Sequence, residues 1–419
     1  MNGEQKLRQF SAQYNEKMVT KVNDRVLHFF GFGHSNATAL IGENSVILID
    51  CLDSDEYARR LLQEIRHITD KPVRTLIYTH GHPDHRGGAG AFRDTVEEVI
   101  AFAPQKPAPK YFDRLNDVLA RRGRFQHGYG LSDAEAISQG IGIREGKETG
   151  HGKYDFLEAT TIYRQKTISR TIDGVRMQLT SAPGEADDGI FVWLEDDNVI
   201  CTGDNYYGCW PNLYAIRGTP YRDIAVWIDT LNEILSYPAD VLLPGHTKPL
   251  IGAALIQEQV GAFRDAVEFV LLQTLECMNQ GMTLNETVDA VQLPSKYQNA
   301  DYLGEFYGTV EWSVKSIYTG YLGWFDGNPV NLLPVSNTVF RSAMAELIDM
   351  QCLRQKLQEC IDRQEYQLAL QLLEFTDDMP QEKSKLLRLR ADQVTSANAR
   401  HYLIAAANEC DMVKHRSNS

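Results

Sequence analysis

The sequence predicts an α/β domain in which helices cover two blocks of β-strands, followed by an all-α domain. Residues 25–252 contain short β-rich runs that are broken by glycine, asparagine and aspartate and alternate with helical segments. From residue 253 the pattern changes to long helical runs. The chain has 419 residues, more than a single hydrophobic core usually supports. We therefore predict two domains, residues 1–252 and residues 253–419.

The first β-rich block contains three predicted strands, at residues 26–30, 45–50 and 75–79. Between the last two, residues 57–65 have helical periodicity, and a proline at position 72 marks the return to strand. This pattern indicates a strand–helix–strand unit whose last strand leads directly into a run of histidines.

The second block contains four predicted strands, at residues 175–179, 189–194, 199–201 and 241–243. Side chains that can bind a metal follow several strand ends in both blocks. Because loops that leave one edge of a sheet can converge while the strands hold them rigid, we expect these loops to form a common site.

The C-terminal part of the chain has few β-rich segments. Residues 255–280 and 339–363 each have the apolar spacing of a long helix. The sequence therefore predicts an all-α second domain.

Charge and composition limit the partners and the location of the protein. The formal net charge of −14 argues against a nucleic-acid partner, which requires a basic face. No segment is long and apolar enough for a membrane span, and the first residues lack the apolar core of a secretory signal. Seven cysteines are an odd number, which favours reduced thiols. We predict a cytoplasmic protein that acts on a small molecule.

The strongest motif follows the strand at residues 75–79. His80, His82, Asp84 and His85 place four metal-binding side chains within six residues. In an extended segment alternate side chains point the same way, so His80 and His82 can bind one metal ion. Asp84 and His85, beyond a turn, can then reach a second one. The motif therefore predicts a two-metal site.

This run of histidines resembles the signature of the metallo-β-lactamase superfamily, in which histidine, any residue, histidine, any residue, aspartate and histidine follow a strand. The resemblance implies a four-layer αβ/βα sandwich that binds two metal ions, usually zinc. It also implies further ligands after later strands. Candidates occur in the sequences Ala-Pro-Gly-Glu, ending at Glu185, Gly-Asp, ending at Asp204, and Pro-Gly-His, ending at His246.

Glu185 stands where most members of the superfamily have histidine. The resemblance distributes the ligands as follows: His80, His82 and Glu185 on one metal, Asp84, His85 and His246 on the other, and Asp204 between them. Three carboxylates and four neutral imidazoles would leave about one positive charge on two dications, which can lower the pKa of bound water from near 16 to about 7. This favours hydrolysis by a metal-activated hydroxide, with Asp84 essential to catalysis.

The glutamate resembles that of the alkylsulfatase branch of the superfamily, and so does the run Asn-Leu-Tyr-Ala-Ile-Arg-Gly at residues 212–218. The resemblance implies that Asn212 and Arg217 hold the sulfate group. A guanidinium fork suits a tetrahedral oxyanion. The alternative is that Arg217 belongs to a structural ion pair.

The helical part resembles the alkylsulfatase dimerisation domain at residues 302–308, 321–329 and 395–400. This resemblance implies a homodimer and extends over nearly the whole chain.

The sequence departs from the alkylsulfatase pattern near Asp204, where Gly208 and Pro211 replace expected histidines. A proton donor for the leaving group must therefore come from elsewhere. Residues 121–129 resemble the pocket-forming insertion of the family, so His127 is a candidate catalytic residue and Tyr129 a candidate for substrate binding. Four aromatic residues are candidates to line an apolar channel: Phe125, Tyr206, Tyr207 and Trp210.

We therefore predict a two-zinc hydrolase of sulfuric esters, with alkyl sulfates as the expected substrates and two Zn²⁺ per chain. Hydrolysis of a phosphate, thioester or lactone on the same site is the nearest alternative. A di-iron redox protein is a second alternative, but such relatives have an acid at the position of His82 and a flavin domain. A non-catalytic dimeric scaffold is a third. The sequence leaves open whether the sulfur–oxygen or the carbon–oxygen bond is broken.

Overall fold

The computed structural model describes residues 1–376 and 379–417, with side chains up to residue 412. Its N-terminal half contains two β-sheets with helices on their outer faces. The first sheet and its associated α-helices comprise α1 (Gly3–Ser11), β1 (Met18–Lys21), β2 (Val26–Phe30), β3 (Ala37–Ile41), β4 (Val46–Ile49), α2 (Asp55–Ile68), β5 (Val73–Ile77), α3 (Pro83–Arg86), β6 (Glu98–Phe102), α4 (Asn116–His127), α5 (Asp133–Ala136), α6 (Gly146–Thr149) and β7 (Thr161–Tyr163). The second sheet comprises β8 (Thr167–Ile172), β9 (Val175–Ser181), β10 (Ile190–Leu194), β11 (Val199–Gly203), β12 (Val241–Pro244) and β13 (Leu250–Ile251), with α7 (Ile224–Ser236) before β12.

The first sheet has its seven strands in chain order, and the second has the order β13-β12-β11-β10-β9-β8. In the first sheet β4, β5, β6 and β7 are parallel neighbours, and in the second β11 and β12 are parallel. Since parallel strands end at the same edge of a sheet, the residues after β4 and β5 lie together, as do those after β11 and β12.

Alternating side chains explain the layers. Val46 and Leu48 of β4 belong to a core shared with α2, whereas Ile47 and Ile49 belong to the core between the two sheets. On the second sheet, Phe191 of β10 faces the core formed with α7. The predicted four-layer αβ/βα sandwich is confirmed, and the two-residue period of each buried strand produces it.

The C-terminal half is helical, as predicted. Its α-helices are α8 (Ala253–Asn279), α9 (Leu284–Ala290), α10 (Ser295–Gln298), α11 (Val310–Leu322), α12 (Asn337–Leu347), α13 (Met350–Asp362), α14 (Tyr366–Leu373), α15 (Pro380–Gln393) and α16 (Ala397–Ser417). The single helix predicted for residues 339–363 is wrong. Helix α12 ends before Ile348, and α13 begins two residues later, where the Asp349 carboxylate caps it by accepting a hydrogen bond from the Cys352 amide at 2.8 Å.

The two halves share buried surface. Trp227 of α7 and Phe263 of α8 belong to one core, and α13–α16 have a core of their own. The division at residues 252 and 253 therefore stays a prediction. Within the described part of the chain, no helix combines the length and apolar character that crossing a membrane requires.

The last helix also packs on α4. The Phe125 and Tyr402 rings meet edge to face, with centroids 5.1 Å apart. The ring nitrogens of the buried His401 each lie 2.9 Å from a backbone carbonyl oxygen, one of Gln126 and one of Ala136. Helix α16 thus supports α4 from outside the sandwich.

Residues 321–347, which we call the arm, expose much apolar surface. Trp324 is 75% exposed and Leu333 is 88% exposed, although both are large apolar side chains. Other exposed side chains of this kind in the arm are Tyr321, Leu322, Val330, Leu332, Val335, Val339, Phe340 and Leu347.

Candidate active site

Four strand ends bring the predicted ligands to one edge of the sandwich. His80 to His85 follow β5, Glu185 follows β9, Asp204 follows β11 and His246 follows β12. Pro83 is the first residue of α3, which turns the chain so that Asp84 and His85 lie in one helical turn.

Asp84, His85, Asp204 and His246 form a first cluster, in which one candidate ligand atom from each residue lies within 4.8 Å of the others. The Nε2 atom of His85 is 3.3 Å from Oδ1 of Asp204. The Nε2 atom of His246 is 3.3 Å from Oδ2 of both Asp84 and Asp204. This cluster could hold one metal ion.

His80, His82 and Asp204 form a second cluster. The Nε2 atom of His80 lies 2.9 Å from Nδ1 of His82 and 3.7 Å from Oδ2 of Asp204. Because Asp204 belongs to both clusters, it lies between the two candidate metal positions, as the resemblance implies.

Glu185 lies outside both clusters, although it lines the same cavity. Its Oε1 accepts from Nη1 of the buried Arg222 at 3.0 Å, and its Oε2 accepts from the Tyr207 hydroxyl at 3.1 Å. Each carboxylate oxygen keeps a second lone pair, so these donors orient Glu185 without using all its capacity.

Three imidazoles of the clusters are held through Nδ1. His85 Nδ1 is 2.7 Å from the Asp50 carboxylate, His246 Nδ1 is 3.0 Å from the His34 carbonyl oxygen, and His80 Nδ1 is 3.1 Å from the Thr79 hydroxyl. Such partners fix the ring orientation and aim Nε2 at a metal position.

The donor set fits metal ions. Nε2 of His85, Nε2 of His246 and Oδ1 of Asp204 are buried and have no hydrogen-bond partner in the described part of the chain. A buried polar atom without a partner is costly, and imidazole and carboxylate atoms so arranged are those that bind divalent cations.

Beside the clusters lies a cavity of about 710 Å³. It brings together all the predicted substrate and acid residues, because His127, Tyr129, Asn212 and Arg217 line it with His82 and Asp84 of the clusters.

Arg217 points its charge into this cavity without a fixed partner. Its backbone amide donates to Oε1 of Gln126 at 2.8 Å, whereas its guanidinium has one hydrogen bond, of 3.3 Å, to the carbonyl of Gly218. No carboxylate among the described side chains forms an ion pair with it, which speaks against a purely structural role. Nearby, Oδ1 of the buried Asn212 also lacks a partner in that part of the chain.

The aromatic residues expected to form an apolar channel do not line the cavity. Tyr206, Tyr207 and Trp210 are fully buried, because the segment after β11 folds into the core beneath α8 and α11. The indole of Trp210 donates to the Ser313 hydroxyl at 3.0 Å. Phe125 packs on α16 instead. That expectation is wrong, and the cavity wall is more polar than it implied.

His127 lies in the cavity, stacked on Tyr129 at 5.5 Å between centroids. Burial, followed by the charge of Arg217, lowers the pKa of His127 to about 3. The imidazole is therefore neutral near pH 7 and a weak proton donor there, and its predicted catalytic role stays a prediction.

Sequence reasoning missed four residues of the site: Asp50, Arg222, Glu145 and Tyr154. Asp50 gave a sequence signal, because it is an acidic residue at the end of the predicted strand at residues 45–50, which precedes the strand that leads into the histidine run. In the structure it directly follows β4, the parallel neighbour of β5, and has a φ of 56°, which is unusual for a residue with a side chain. The other three carry no motif and are recognised only by their contacts.

Comparison with known proteins assigns the family. Residues 30–246 match the metallo-beta-lactamase superfamily model, and residues 283–412 match that of the alkyl sulfatase dimerisation domain. The first match covers just over half of the chain. The protein belongs to the metallo-beta-lactamase superfamily, and its two matches confirm the predicted alkylsulfatase-type pairing of a catalytic fold with a helical domain.

Individual relatives point the same way. The chain is 34% identical over 299 residues to a linear primary-alkylsulfatase of Pseudomonas sp., which covers 69% of this chain and 56% of the relative. It is also 34% identical over 340 residues to an alkyl/aryl-sulfatase of Saccharomyces cerevisiae. That match covers 78% of this chain and 52% of the relative. The chain thus spans about half the length of these curated relatives.

A solved structure supports the fold. A stereoselective inverting sec-alkylsulfatase from Pseudomonas sp. superimposes with a TM-score of 0.85 at 24% identity, covering 97% of this chain and 67% of that one.

Proposed function

We propose that this protein is a dinuclear-metal hydrolase of sulfuric esters, with alkyl sulfates as substrates and zinc as its metal. The main support is that two ligand clusters, which share Asp204, lie beside a cavity lined by Arg217, and that Arg217 forms no ion pair with any described side chain. The names of the curated relatives, which are alkylsulfatases, support this choice of ester.

In this proposal each of the two clusters would hold one metal ion, and Asp204, which belongs to both clusters, would contribute to both. The assigned ligands are His80, His82 and Glu185 for one metal, Asp84, His85 and His246 for the other, and Asp204 for both. Zn²⁺ suits imidazole and carboxylate ligands, and other divalent ions can bind the same set. When bound, the two cations would supply Lewis acidity and lower the pKa of water at the site toward neutrality.

The protein side chains would bind and orient the ester. The guanidinium of Arg217 can donate two parallel N–H bonds to the sulfate oxygens, and the Asn212 amide can add a third donor after rotation. The placement of both on the cavity wall beside Asp84 would set the sulfur atom next to the ligand clusters.

A panel of esters tests this proposal. We expect metal-loaded protein to release inorganic sulfate from an alkyl or an aryl sulfate, measured by ion chromatography, and elemental analysis to find two zinc ions per chain. No sulfate release from any sulfate ester, together with turnover of a phosphate diester, a thioester or a lactone, would contradict it. Bound iron with reversible redox absorption bands would favour a redox protein instead.

Replacing Asp50 with asparagine is expected to weaken metal binding about 10- to 100-fold, because the carboxylate that orients His85 and strengthens its basicity is lost. Competition with a chromogenic chelator measures the affinity. Asp70→Asn, at an exposed position, is the matched control and should bind metal as the unchanged protein does. An Asp50→Asn variant with unaltered affinity would argue against the proposal that Asp50 orients His85 for metal binding.

We also propose that the arm mediates a homodimer, since many exposed apolar side chains in one segment favour burial against another surface and the helical half matches a dimerisation domain. Substituting both Trp324 and Leu333 with glutamate should convert the dimer to a monomer at micromolar concentration, as measured by light scattering after size exclusion. The control Ile68→Glu, exposed on α2, should stay dimeric.

The cytoplasmic location stays a prediction.

A further inference from the structure

We propose that Glu145 donates a proton to the departing alcohol oxygen, and that the ester is therefore cleaved at its sulfur–oxygen bond. This inference rests on the proposed sulfuric ester hydrolysis and adds the proton donor that the missing family histidines leave unassigned.

The first argument is the position of the carboxyl group. Glu145 is buried, precedes the first turn of α6 and lines the cavity that also contains Asp84 and Arg217. A substrate whose sulfate lies on Arg217 would place its ester oxygen in the same cavity. Glu145 therefore borders the cavity in which the leaving group would lie.

The second argument is how the carboxyl is held. The Tyr129 hydroxyl donates to Oε2 of Glu145 at 2.7 Å, and the Tyr154 hydroxyl donates to the same oxygen. The two hydroxyls lie 3.1 Å apart. No hydrogen bond to Oε1 is seen from any described residue, so Oε1 can carry a proton and present it to a ligand. After proton transfer, both tyrosines would stabilise the carboxylate.

The third argument is the surrounding charge. In the metal-free protein burial raises the pKa of Glu145 to about 8, and the carboxylates of Asp53 and Asp84 add to this effect. Hydrogen bonds from Tyr154 and Tyr129 act in the opposite direction. A carboxyl group kept neutral near pH 7 is a competent acid.

Besides Arg217, the cations Arg124 and Lys147 also line this cavity. The Lys147 ammonium lies 4.7 Å from the ring centroid of Tyr154 and 5.8 Å from that of Tyr129, on the short helix that follows Glu145. Lys147 is exposed to solvent, so its effect on the buried carboxyl is screened.

The step balances as follows. A water oxygen bonds to sulfur while the bond between sulfur and the alkyl oxygen breaks. The alkyl oxygen leaves with the bonding electron pair and takes the proton from Oε1. Of the two water protons, one restores Glu145 and the other passes to solvent, so each turnover yields an alcohol, sulfate and one proton.

Cleavage at carbon would not use this acid. There the leaving group is sulfate itself, whose charge is spread over its oxygens and which needs no proton. An acid beside the ester oxygen therefore favours cleavage at sulfur.

The variant Glu145→Gln keeps the size of the side chain and an oxygen for the tyrosines but has no acidic proton. We expect it to lower kcat for a primary alkyl sulfate about 100-fold or more, but kcat for 4-nitrophenyl sulfate by less than about fivefold, because nitrophenolate leaves without protonation. Glu158→Gln, an exposed acid outside the cavity, is the matched control and should leave both rates unchanged. Equal losses on both esters, or no loss on either, would overturn the assignment.

Hydrolysis by the unaltered enzyme in water labelled with oxygen-18 gives an independent readout. Label in the sulfate supports cleavage at sulfur, whereas label in the alcohol overturns it. If the unaltered enzyme releases sulfate from neither ester, the proposed function itself fails. If it is active but gives equal losses in Glu145→Gln or label in the alcohol, only the role of Glu145 fails.

Discussion

The variant Asp204→Ala is expected to lose both metal ions and to release sulfate at least about a thousandfold more slowly than the unchanged protein, since each lost metal removes several kcal/mol of transition-state stabilisation. Asp204 is the residue common to the two ligand clusters. Its removal also leaves Nε2 of His85 and Nε2 of His246 without the carboxylate that lies 3.3 Å from each. Elemental analysis and sulfate release measure the two effects.

His82→Ala is the matched comparison, because His82 belongs to the second cluster alone. We expect it to lose about one metal ion per chain, so the two variants should differ in stoichiometry. Thermal unfolding of both, with and without added zinc, checks that the fold survives: the unchanged protein should gain stability from zinc and Asp204→Ala should not. If Asp204→Ala retained both metals and full activity, the shared-ligand arrangement would be wrong.

The variant Arg217→Ala is expected to reduce kcat/KM for a sulfate ester about 100- to 1,000-fold, as expected when one partner of a desolvated charge pair is removed. Most of the loss should fall on KM, and inorganic sulfate should inhibit the variant far less than the unchanged enzyme. Arg217→Lys keeps the charge but not the planar fork and should lie between them. Steady-state kinetics and sulfate inhibition provide these values.

Arg176 supplies a control for Arg217. It is exposed on β9 and paired with Asp196, so Arg176→Ala should alter neither KM nor sulfate inhibition. A purely structural role for Arg217 would show a different signature, namely a lower unfolding temperature with sulfate inhibition unchanged.

The sandwich could be predicted where a strand carries consecutive large apolar residues, as in β2, or an apolar residue at every second position, as at the start of β9. The predicted strand at residues 26–30 matches β2, and that at residues 175–179 lies within the longer β9. Strands that are short, polar or at an edge gave no such signal. In β8, side chains alternate between exposed and half-buried, and several are hydroxyl-bearing, so its sequence lacks a continuous apolar run.

The metal-ligand residues could be predicted because they lie in short sequence motifs just after predicted strands. The spacing of His80 to His85 identifies them as a metal-binding motif. Asp50, by contrast, reaches His85 only because its strand pairs with β5. Arg222 and Glu145 are further removed from any local pattern. Their roles depend on burial and on partners distant in sequence, which no spacing rule encodes.

The contact between α4 and α16 has a consequence for the order of events during protein synthesis. Gln126 is held on two sides, since its carbonyl oxygen lies against His401 and its side-chain oxygen accepts from the backbone of Arg217. Every candidate metal ligand leaves the ribosome before His401 does. Nascent chains could thus gather the metal ligands early, yet the wall that orients Arg217 would gain its support only when α16 emerges and docks. The ability to bind the anionic ester is then acquired after the metal ligands have been synthesised.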